Sequence, residues 1–255
     1  MTAKLFDLTD RIALITGSTQ GIGLALAEGL AAHGATVIIN GRDPNRLSKT
    51  IELLQDKGVP ARGSIFDVTD RRQIDRAMDS IATHIGDIDI LINNAGMQFR
   101  APLEEFPADK WDELLRTNLS SVFHVSQAVA QRMIPRGRGK IINIGSVQSE
   151  LARPSIAPYT ATKGAIRNLT RGMCADWAKH GLQINAIGPG YFKTPLNQAL
   201  VDSTEFSSWL EKRTPAGRWG EVGELVGAAV FLSSDASSFV NGQMLYVDGG
   251  ITASI

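Results

Sequence analysis

Short apolar runs alternate with longer amphipathic stretches along the chain. The apolar runs are rich in β-branched residues and lie at residues 12–16, 36–40, 88–93, 140–145 and 183–188, as expected of strands buried on both faces. Stretches between them, such as residues 23–34, 44–58 and 70–86, have apolar residues at helical spacing. This alternation predicts right-handed βαβ units, and hence an α/β fold with a doubly wound parallel β-sheet and helices on both faces.

The chain shows no internal repeat, low-complexity tract or Pro/Gly/Ser linker that would divide it. Residues 1–255 are therefore predicted to form a single domain. The least periodic stretch, residues 189–220, mixes apolar and polar residues and is punctuated by Pro and Gly. Ligands of such sheets bind beyond the carboxyl ends of the strands, so we expect a substrate lid at about residues 190–217.

Composition excludes several classes of protein. Lys and Arg total 26 against 26 Asp and Glu, so there is no basic excess for binding nucleic acid. One cysteine, Cys174, forbids an internal disulfide, and the four histidines lack metal-ligand spacing. The first residues are charged where a signal peptide is apolar, and no apolar run is long enough to span a membrane. We expect a cytoplasmic protein with no metal, no membrane partner and no nucleic-acid partner.

A glycine-rich turn joins the first predicted strand to the first predicted helix. It reads TGSTQGIG over residues 16–23. Glycines in such a turn permit a tight bend and let the backbone approach a pyrophosphate at the helix N-terminus. A merely structural turn is the alternative, but the strand-turn-helix context favours a dinucleotide site in a Rossmann-type sheet.

The residues after the second predicted strand bear on the choice of dinucleotide. NAD enzymes place an acidic residue here for the ribose 2′-hydroxyl, whereas this chain has Arg42, followed by Asp43. A guanidinium binds a 2′-phosphate that a carboxylate would repel, so we expect NADP in preference to NAD. Asp67 is a candidate acceptor for the adenine amino group. A solvated Arg42 and a turn or N-cap role for Asp67 are the alternatives.

A tyrosine and a lysine four residues apart form the candidate chemical centre. Tyr159 and Lys163 share one face of a predicted helix. An adjacent ammonium and a cationic nicotinamide would both lower the phenol pKa from its usual value of about 10. Ser146 follows the strand at residues 140–145, where its hydroxyl can bond a substrate oxygen. A chance spacing on a surface helix and a capping serine are the alternatives.

In combination, these motifs resemble the short-chain dehydrogenase/reductase family. The turn at 16–23, Asn-Asn-Ala-Gly at 93–96, Ser146, Tyr159-x-x-x-Lys163 and Pro-Gly at 189–190 have that family's order and spacing over essentially the whole chain. The resemblance implies an oxidoreductase, a homotetramer, and Asn118 as a fourth catalytic residue that shapes a helix bend and a water-mediated proton relay to Lys163.

The resemblance also completes the predicted cofactor site. Many NADP-using members carry a basic residue where this chain has Gln20, so the preference for NADP rests mainly on Arg42. The residues predicted to bind the cofactor are Gly17, Ser18, Gln20, Gly21, Ile22, Gly23, Arg42, Asp67, Val68, Asn94, Ala95, Gly96, Tyr159, Lys163, Pro189, Gly190 and Thr194.

Polar residues dominate the segments expected to line a substrate pocket. A polyhydroxylated acid needs many hydrogen-bond partners and a cation for its carboxylate, and Arg100 is the predicted cation. Residues 94–106, 133–165 and 215–243 resemble members of the family that reduce keto-sugar acids with NADPH. The predicted substrate residues are Arg100, Ser146, Gln148, Glu150 and Tyr159.

Other functions remain open at this point. A 3-oxoacyl-carrier-protein reductase shares the family motifs, although it should need a basic docking surface that this neutral chain does not plainly show. A reductase of another polyol or keto-sugar is a further alternative among enzymes. A dinucleotide-binding regulator without catalysis is the alternative outside enzymes, and it would have no need of all four catalytic residues.

Overall fold

A computed structural model describes residues 5–254 and contains one sheet of seven parallel strands in the order β3-β2-β1-β4-β5-β6-β7. The α/β prediction is thereby confirmed. In chain order the strands are β1 (Ile12–Ile15), β2 (Thr36–Gly41), β3 (Ala61–Ile65), β4 (Ile90–Asn93), β5 (Gly139–Ile144), β6 (Leu182–Pro189) and β7 (Met244–Val247).

Helices cover both faces of this sheet. On one face lie α1 (Gly21–Ala32), α2 (Pro44–Asp56) and α9 (Val226–Ser233), and on the other lie α3 (Arg71–His84), α5 (Ser121–Arg136) and α6 (Ala157–Trp177). The remaining α-helices of the described chain are α4 (Ala108–Leu115), α7 (Gln198–Val201) and α8 (Thr204–Arg213). None of the helices in residues 5–254 has both the length and the apolar character needed to cross a membrane.

Strand residues alternate between two hydrophobic layers. Ala13 and Ile15 pack with the helices of the first face, whereas Leu14, between them, packs with those of the second. In β4, Ile90 likewise packs with the helices of the first face and Leu91 with those of the second. Because side chains of a strand point to opposite faces in turn and both faces are covered, nearly every strand position is apolar. This explains the unbroken apolar runs of the sequence.

The edge strand β3 departs from this pattern. Only Ala61 in it is fully buried, while Arg62, Gly63 and Ile65 are exposed. β3 ends at Ile65, two residues before Asp67. Asp67 therefore lies in the turn that follows the strand.

The strand order reverses between β1 and β4. From β1 the chain moves outward through β2 to β3 and then returns to place β4 on the other side of β1. At such a point the loops at the carboxyl ends of the strands diverge and open a crevice, which is where open α/β sheets bind ligands. The turn after β1 and the loop after β4 border this crevice.

Candidate active site

A cleft of about 850 Å³ opens at this reversal point. Segments that follow β1, β2, β4, β5 and β6 all contribute to its walls. Ser18, Gly23, Arg100, Asn118 and Glu150 are outside the lining. The predicted site residues that line the cleft are Gly17, Gln20, Gly21, Ile22, Arg42, Asp67, Val68, Asn94, Ala95, Gly96, Ser146, Gln148, Tyr159, Lys163, Pro189, Gly190 and Thr194.

The turn after β1 has the shape and the free donors that a pyrophosphate requires. Gly17 and Gly21 have left-handed φ angles of 61° and 58°. A Cβ on Gly17 would lie 2.9 Å from the Cα of Ala95, so the close approach of the two loops requires glycine. Gln20 precedes α1 without capping it, which leaves the first N–H groups of the helix without a side-chain acceptor. A positive helix end with free N–H groups suits phosphate oxygens.

Ser18 and Gly23 support this turn from behind. The hydroxyl of Ser18 donates to the carbonyl oxygen of Ile15 at 2.7 Å. Gly23 packs so closely on Asn94 that a Cβ there would overlap the amide nitrogen. That amide donates to the carbonyl oxygen of Gly17 at 2.9 Å, which ties the turn after β1 to the loop after β4.

Two arginines lie where β2 ends, at one end of the cleft. Nη1 of Arg42 is 3.3 Å from Oδ2 of Asp67, and the Arg42 side chain is 76% exposed. Arg46, in the first turn of α2, lines the same cleft and donates from Nη1 to Oε1 of Gln20 at 3.3 Å. Arg46 was not among the predicted site residues, and the signal that could have found it is a second arginine four residues after Arg42, in the first turn of the next helix. A second cation thus stands beside the glutamine that replaces the family's basic residue.

The carboxylates near these arginines have structural partners. Asp43 caps α2 and accepts from the backbone N–H groups of Asn45 and Arg46. Asp67 accepts from the N–H and the hydroxyl of Thr69 at 2.8 and 2.7 Å. Partial burial raises the pKa of Asp67, but the hydrogen bonds from Thr69 and Arg42 outweigh burial and hold that pKa below its usual value. Asp67 is therefore an ionised turn residue in the lining of the cleft.

Ser146, Tyr159 and Lys163 come together in the same cleft. Nζ of Lys163 lies 5.6 Å from the centroid of the Tyr159 ring, one turn away in α6, and donates to the carbonyl oxygen of Ile144 at 2.7 Å. The hydroxyl of Ser146 hydrogen-bonds the phenol of Tyr159. It also accepts from the backbone N–H of Gln148 at 3.1 Å. The Ser146 hydroxyl therefore both caps the turn that follows β5 and contacts the phenol of Tyr159.

Burial shifts the two titratable groups in opposite directions. Burial raises the pKa of Tyr159 to about 12, against a smaller lowering by its hydrogen bond with Ser146. Burial lowers the pKa of Lys163 to about 8. Burial thus outweighs the lowering of the phenol pKa expected from Lys163, whose ammonium donates to Ile144, and the lowering expected from a cationic nicotinamide stays a prediction. At neutral pH the phenol is protonated.

Asn118 lies in a π-helical turn, Arg116–Ser120, between α4 and α5. Its side chain is buried, and its Oδ1 and Nδ2 bond the backbone N–H and carbonyl of Met97 at 2.8 and 2.9 Å. Nδ2 is also 3.3 Å from the hydroxyl of Thr162 in α6. This π-helical turn interrupts the α-helical geometry at the place where the helix bend is expected. The water-mediated relay to Lys163 stays a prediction.

The predicted substrate residues occupy different positions. Gln148 lines the cleft and donates from Nε2 to the phenol oxygen of Tyr191 at 3.2 Å. Arg100 lies beside the lining, close enough for its charge to act on Tyr159. Glu150 points elsewhere: it forms an ion pair with Arg167 at 2.6 Å and accepts from the hydroxyl of Tyr246 at 3.2 Å. Glu150 therefore lies outside the cleft lining with its charge balanced by Arg167, which argues against a contact with the substrate.

The segment predicted as a lid forms one wall of the cleft. Residues 190–217 include α7 and α8, and Tyr191, Thr194 and Leu200 among them line the cleft. The Tyr191 ring centroid lies 5.6 Å from that of Phe206 and 6.0 Å from that of Trp219. This aromatic cluster packs parts of the segment against one another and against Trp219, just beyond it. Its function as a lid stays a prediction.

Comparison with known proteins assigns the chain to a family. A family model described as enoyl-(acyl carrier protein) reductase matches residues 17–252. A gluconate 5-dehydrogenase of Gluconobacter oxydans is 61% identical over 251 residues, which is 98% of either chain. The chain belongs to the short-chain dehydrogenase/reductase family. The family predicted from the motifs is thereby confirmed.

Two further relatives of this short-chain dehydrogenase are similarly close. A 5-keto-D-gluconate 5-reductase of Escherichia coli is 51% identical, covering 98% of this chain and 99% of the relative. A crystal structure of a gluconate 5-dehydrogenase from Burkholderia cenocepacia, in complex with NADP and tartrate, is 58% identical with a TM-score of 0.98 and covers 100% of both chains. The resemblance of residues 94–106, 133–165 and 215–243 is specifically to gluconate 5-dehydrogenase, also called 5-keto-D-gluconate reductase, and these relatives confirm it.

Proposed function

We propose that this short-chain dehydrogenase is an NADP-dependent oxidoreductase that reversibly reduces 5-keto-D-gluconate to D-gluconate. The observation that carries the proposal is the contact of the Ser146 hydroxyl with a protonated Tyr159 phenol inside the cleft, one helical turn from Lys163. The names of relatives at 61% and 51% identity support the substrate. The complex formed by the Burkholderia relative supports NADP as the cofactor.

In the reductive direction, bound NADPH supplies a hydride to the substrate carbonyl carbon. Ser146 holds the carbonyl oxygen, and Tyr159 donates its phenol proton to that oxygen as a general acid. The ammonium of Lys163 stabilises the negative charge that appears on Tyr159 as the proton leaves, and it binds the nicotinamide ribose. Asn118 holds the π-helical turn in place and supports the proton relay to Lys163. In the oxidative direction the same phenol accepts the proton.

The cleft offers suitable groups along the whole length of a dinucleotide. The turn after β1 takes the pyrophosphate, and the loop after β4 borders the adenosine ribose. Arg42 and Arg46 take the 2′-phosphate, which accounts for the preference for NADP over NAD. The residues proposed to contact the cofactor directly are Gly17, Gln20, Gly21, Ile22, Arg42, Arg46, Asp67, Val68, Asn94, Ala95, Gly96, Tyr159, Lys163, Pro189, Gly190 and Thr194, with Ser18 and Gly23 supporting the turn.

The substrate lies against the polar wall next to Tyr159. Gln148 lines this wall, and Arg100 supplies a positive charge at its edge. Together with the hydroxyls of Ser146 and Tyr159, these groups match a polyhydroxylated acid better than an acyl chain, which needs apolar walls. We therefore propose Arg100, Ser146, Gln148 and Tyr159 as substrate-binding residues.

Oxidation of NADPH followed at 340 nm tests the function. With 5-keto-D-gluconate we expect rapid turnover of NADPH, slower turnover of NADH, and little reaction with a short 3-oxoacyl thioester. Faster turnover of the thioester would replace the proposal by a carrier-protein reductase. Reaction only with other keto-sugars or polyols would change the substrate, and NADPH binding without any turnover would indicate a regulatory protein.

Arg46 is expected to share the recognition of the 2′-phosphate with Arg42. Hydrogen bonds to a charged group contribute about 1.5–3 kcal/mol each, so Arg46→Gln should lower the ratio of kcat/KM for NADPH to that for NADH by about 10-fold or more. The double replacement of Arg42 and Arg46 should lower the ratio further, with kcat/KM for NADH little changed. Arg62→Gln, an exposed change in β3, is the matched control. An unchanged ratio in Arg46→Gln would show that Arg42 acts without it.

We also propose a homotetramer and a cytoplasmic location. Exposed aromatic side chains of Trp111 in α4 and Phe123 in α5 are compatible with contacts between subunits. Both statements stay predictions.

A further inference from the structure

Arg153 lies in the loop between β5 and α6, and the proposed proton transfer does not use it. Its side chain lines the cleft. Its guanidinium carbon lies 5.4 Å from the centroid of the Phe206 ring in α8, and the guanidinium hydrogen-bonds the phenol of Tyr191. One side chain thus contacts two separate parts of the 190–217 segment. Stacking on an aromatic ring holds the planar guanidinium in a defined orientation.

The guanidinium groups of Arg153 and its neighbour Arg100 have no carboxylate partner within residues 5–254. Neither residue takes part in the ion pairs of this region. Nε of each is buried without a hydrogen-bond partner there, and Arg100 donates from Nη2 to Gln98 at 3.1 Å. Burial, and next the charge of Arg153, lower the pKa of Arg100. Adjacent cations with unused donors provide a binding site for an anion.

The position of this pair indicates which anion it binds. The glycine turn and Arg42 are at the part of the cleft suited to cofactor phosphates, whereas Arg153 is beside Tyr191 and Gln148. Oε1 of Gln148 is also buried without a partner in the described chain. A carbonyl oxygen accepts a hydroxyl hydrogen, and a guanidinium pair binds a carboxylate. The two features together match a hydroxy acid.

We propose that Arg153 is a specificity-determining residue that binds the substrate carboxylate, with Arg100 as the second guanidinium, so that the cleft selects hydroxy acids over neutral sugars. This inference rests on the proposed reduction of a keto-sugar acid and adds the group that recognises its charge. Since Arg153 contacts Tyr191 and Phe206, carboxylate binding also holds the 190–217 segment against the substrate. The carboxylate is remote from the reacting carbonyl, so loss of the contact between Arg153 and the carboxylate should raise KM more than it lowers kcat.

A comparison of a charged and a neutral substrate tests the role of Arg153. The substrates are 5-keto-D-gluconate and L-sorbose, in which a hydroxymethyl group replaces the carboxylate. Arg153→Gln should lower kcat/KM for 5-keto-D-gluconate by about 100-fold, mainly through KM, because a charge-assisted bidentate contact is lost. Activity with L-sorbose should change little, and Arg153→Lys should recover part of the loss. Arg62→Gln is the control for a surface arginine. Equal losses on both substrates, or an unchanged KM for the keto acid, would overturn the inference.

A binding measurement separates this inference from the proposed reaction. Tartrate, a small hydroxy dicarboxylate, is titrated calorimetrically into the NADP-loaded wild-type protein and into Arg153→Gln. We expect binding to the wild-type protein that is weakened at least about 10-fold in the variant. That result supports the carboxylate site even if 5-keto-D-gluconate is not reduced, in which case only the proposed substrate fails. Equal affinity in both proteins, or no binding to the wild type, would overturn the carboxylate site whether or not the keto acid is reduced.

Discussion

Tyr159→Phe is expected to abolish turnover while NADPH binding stays nearly unchanged. The substitution removes the proton that the reduction requires but keeps the aromatic ring that packs in the cleft. General acid catalysis contributes roughly 10²–10⁴-fold, and a loss of kcat at the upper end of that range is expected because Tyr159 is the phenol that hydrogen-bonds Ser146. Stopped-flow or steady-state assays give kcat, and fluorescence titration gives the dissociation constant for NADPH.

Tyr246→Phe is the matched control for that experiment. Tyr246 bonds Ser149 and Glu150 through its hydroxyl but does not line the cleft. Its replacement should leave kcat within about 3-fold of wild type, as for a surface substitution away from the site. If Tyr159→Phe kept a tenth of the wild-type kcat, Tyr159 would not be the proton donor.

Lys163→Met is expected to lower kcat about 10²–10⁴-fold, because the charge that stabilises the developing phenolate is lost. Methionine keeps most of the apolar volume of the buried side chain, so the protein should still fold. The Tyr159→Phe, Lys163→Met double variant should be little worse than the more damaged single variant, since residues that act as one unit are not additive. Fully additive losses would show that the two side chains act independently.

The same lysine should determine the alkaline limit of the reduction. Burial lowers the pKa of Lys163 to about 8 and raises that of Tyr159 to about 12, so Lys163 loses its charge first as pH rises. In wild type, kcat/KM for reduction should therefore be constant below about pH 8 and fall above it, whereas the residual activity of Lys163→Met should show no such fall. A wild-type profile that stays flat to pH 10 would contradict this assignment.

Lys140 offers a matched control for the pH profile. It is a second buried lysine whose pKa burial lowers to about 8. It is the second residue of β5, near the amino end of the strand, and donates to the hydroxyl of Ser237 at 3.2 Å, away from the cleft lining. Lys140→Met should keep the fall above pH 8. Loss of the fall in this variant would mean that the profile reports protein stability instead of the active site.

Short-range sequence patterns were sufficient to predict the fold and most of the residues that line the candidate cofactor site. Unbroken apolar runs identified the inner strands, which are buried on both faces, and the edge strand β3 deviated because much of it faces solvent. The glycine turn and the Tyr159-Lys163 spacing involve residues close together in sequence, so both can be recognised from the sequence alone. The parallel sheet then brings the carboxyl ends of the strands together, as the alternation of elements predicted.

Contacts between segments that are distant in sequence can be identified only from the tertiary structure. Arg46 contacts Gln20, and Arg153 contacts Phe206, because separate segments converge on one cleft. Glu150 lies outside the lining, where Arg167 balances its charge. The raised pKa of Tyr159 likewise follows from burial, which no local motif reports. Periodicity and turn chemistry are properties of neighbouring residues, and they specify secondary structure and its order. Charge pairing and desolvation depend on what other parts of the chain place around a group, so they are set by tertiary packing.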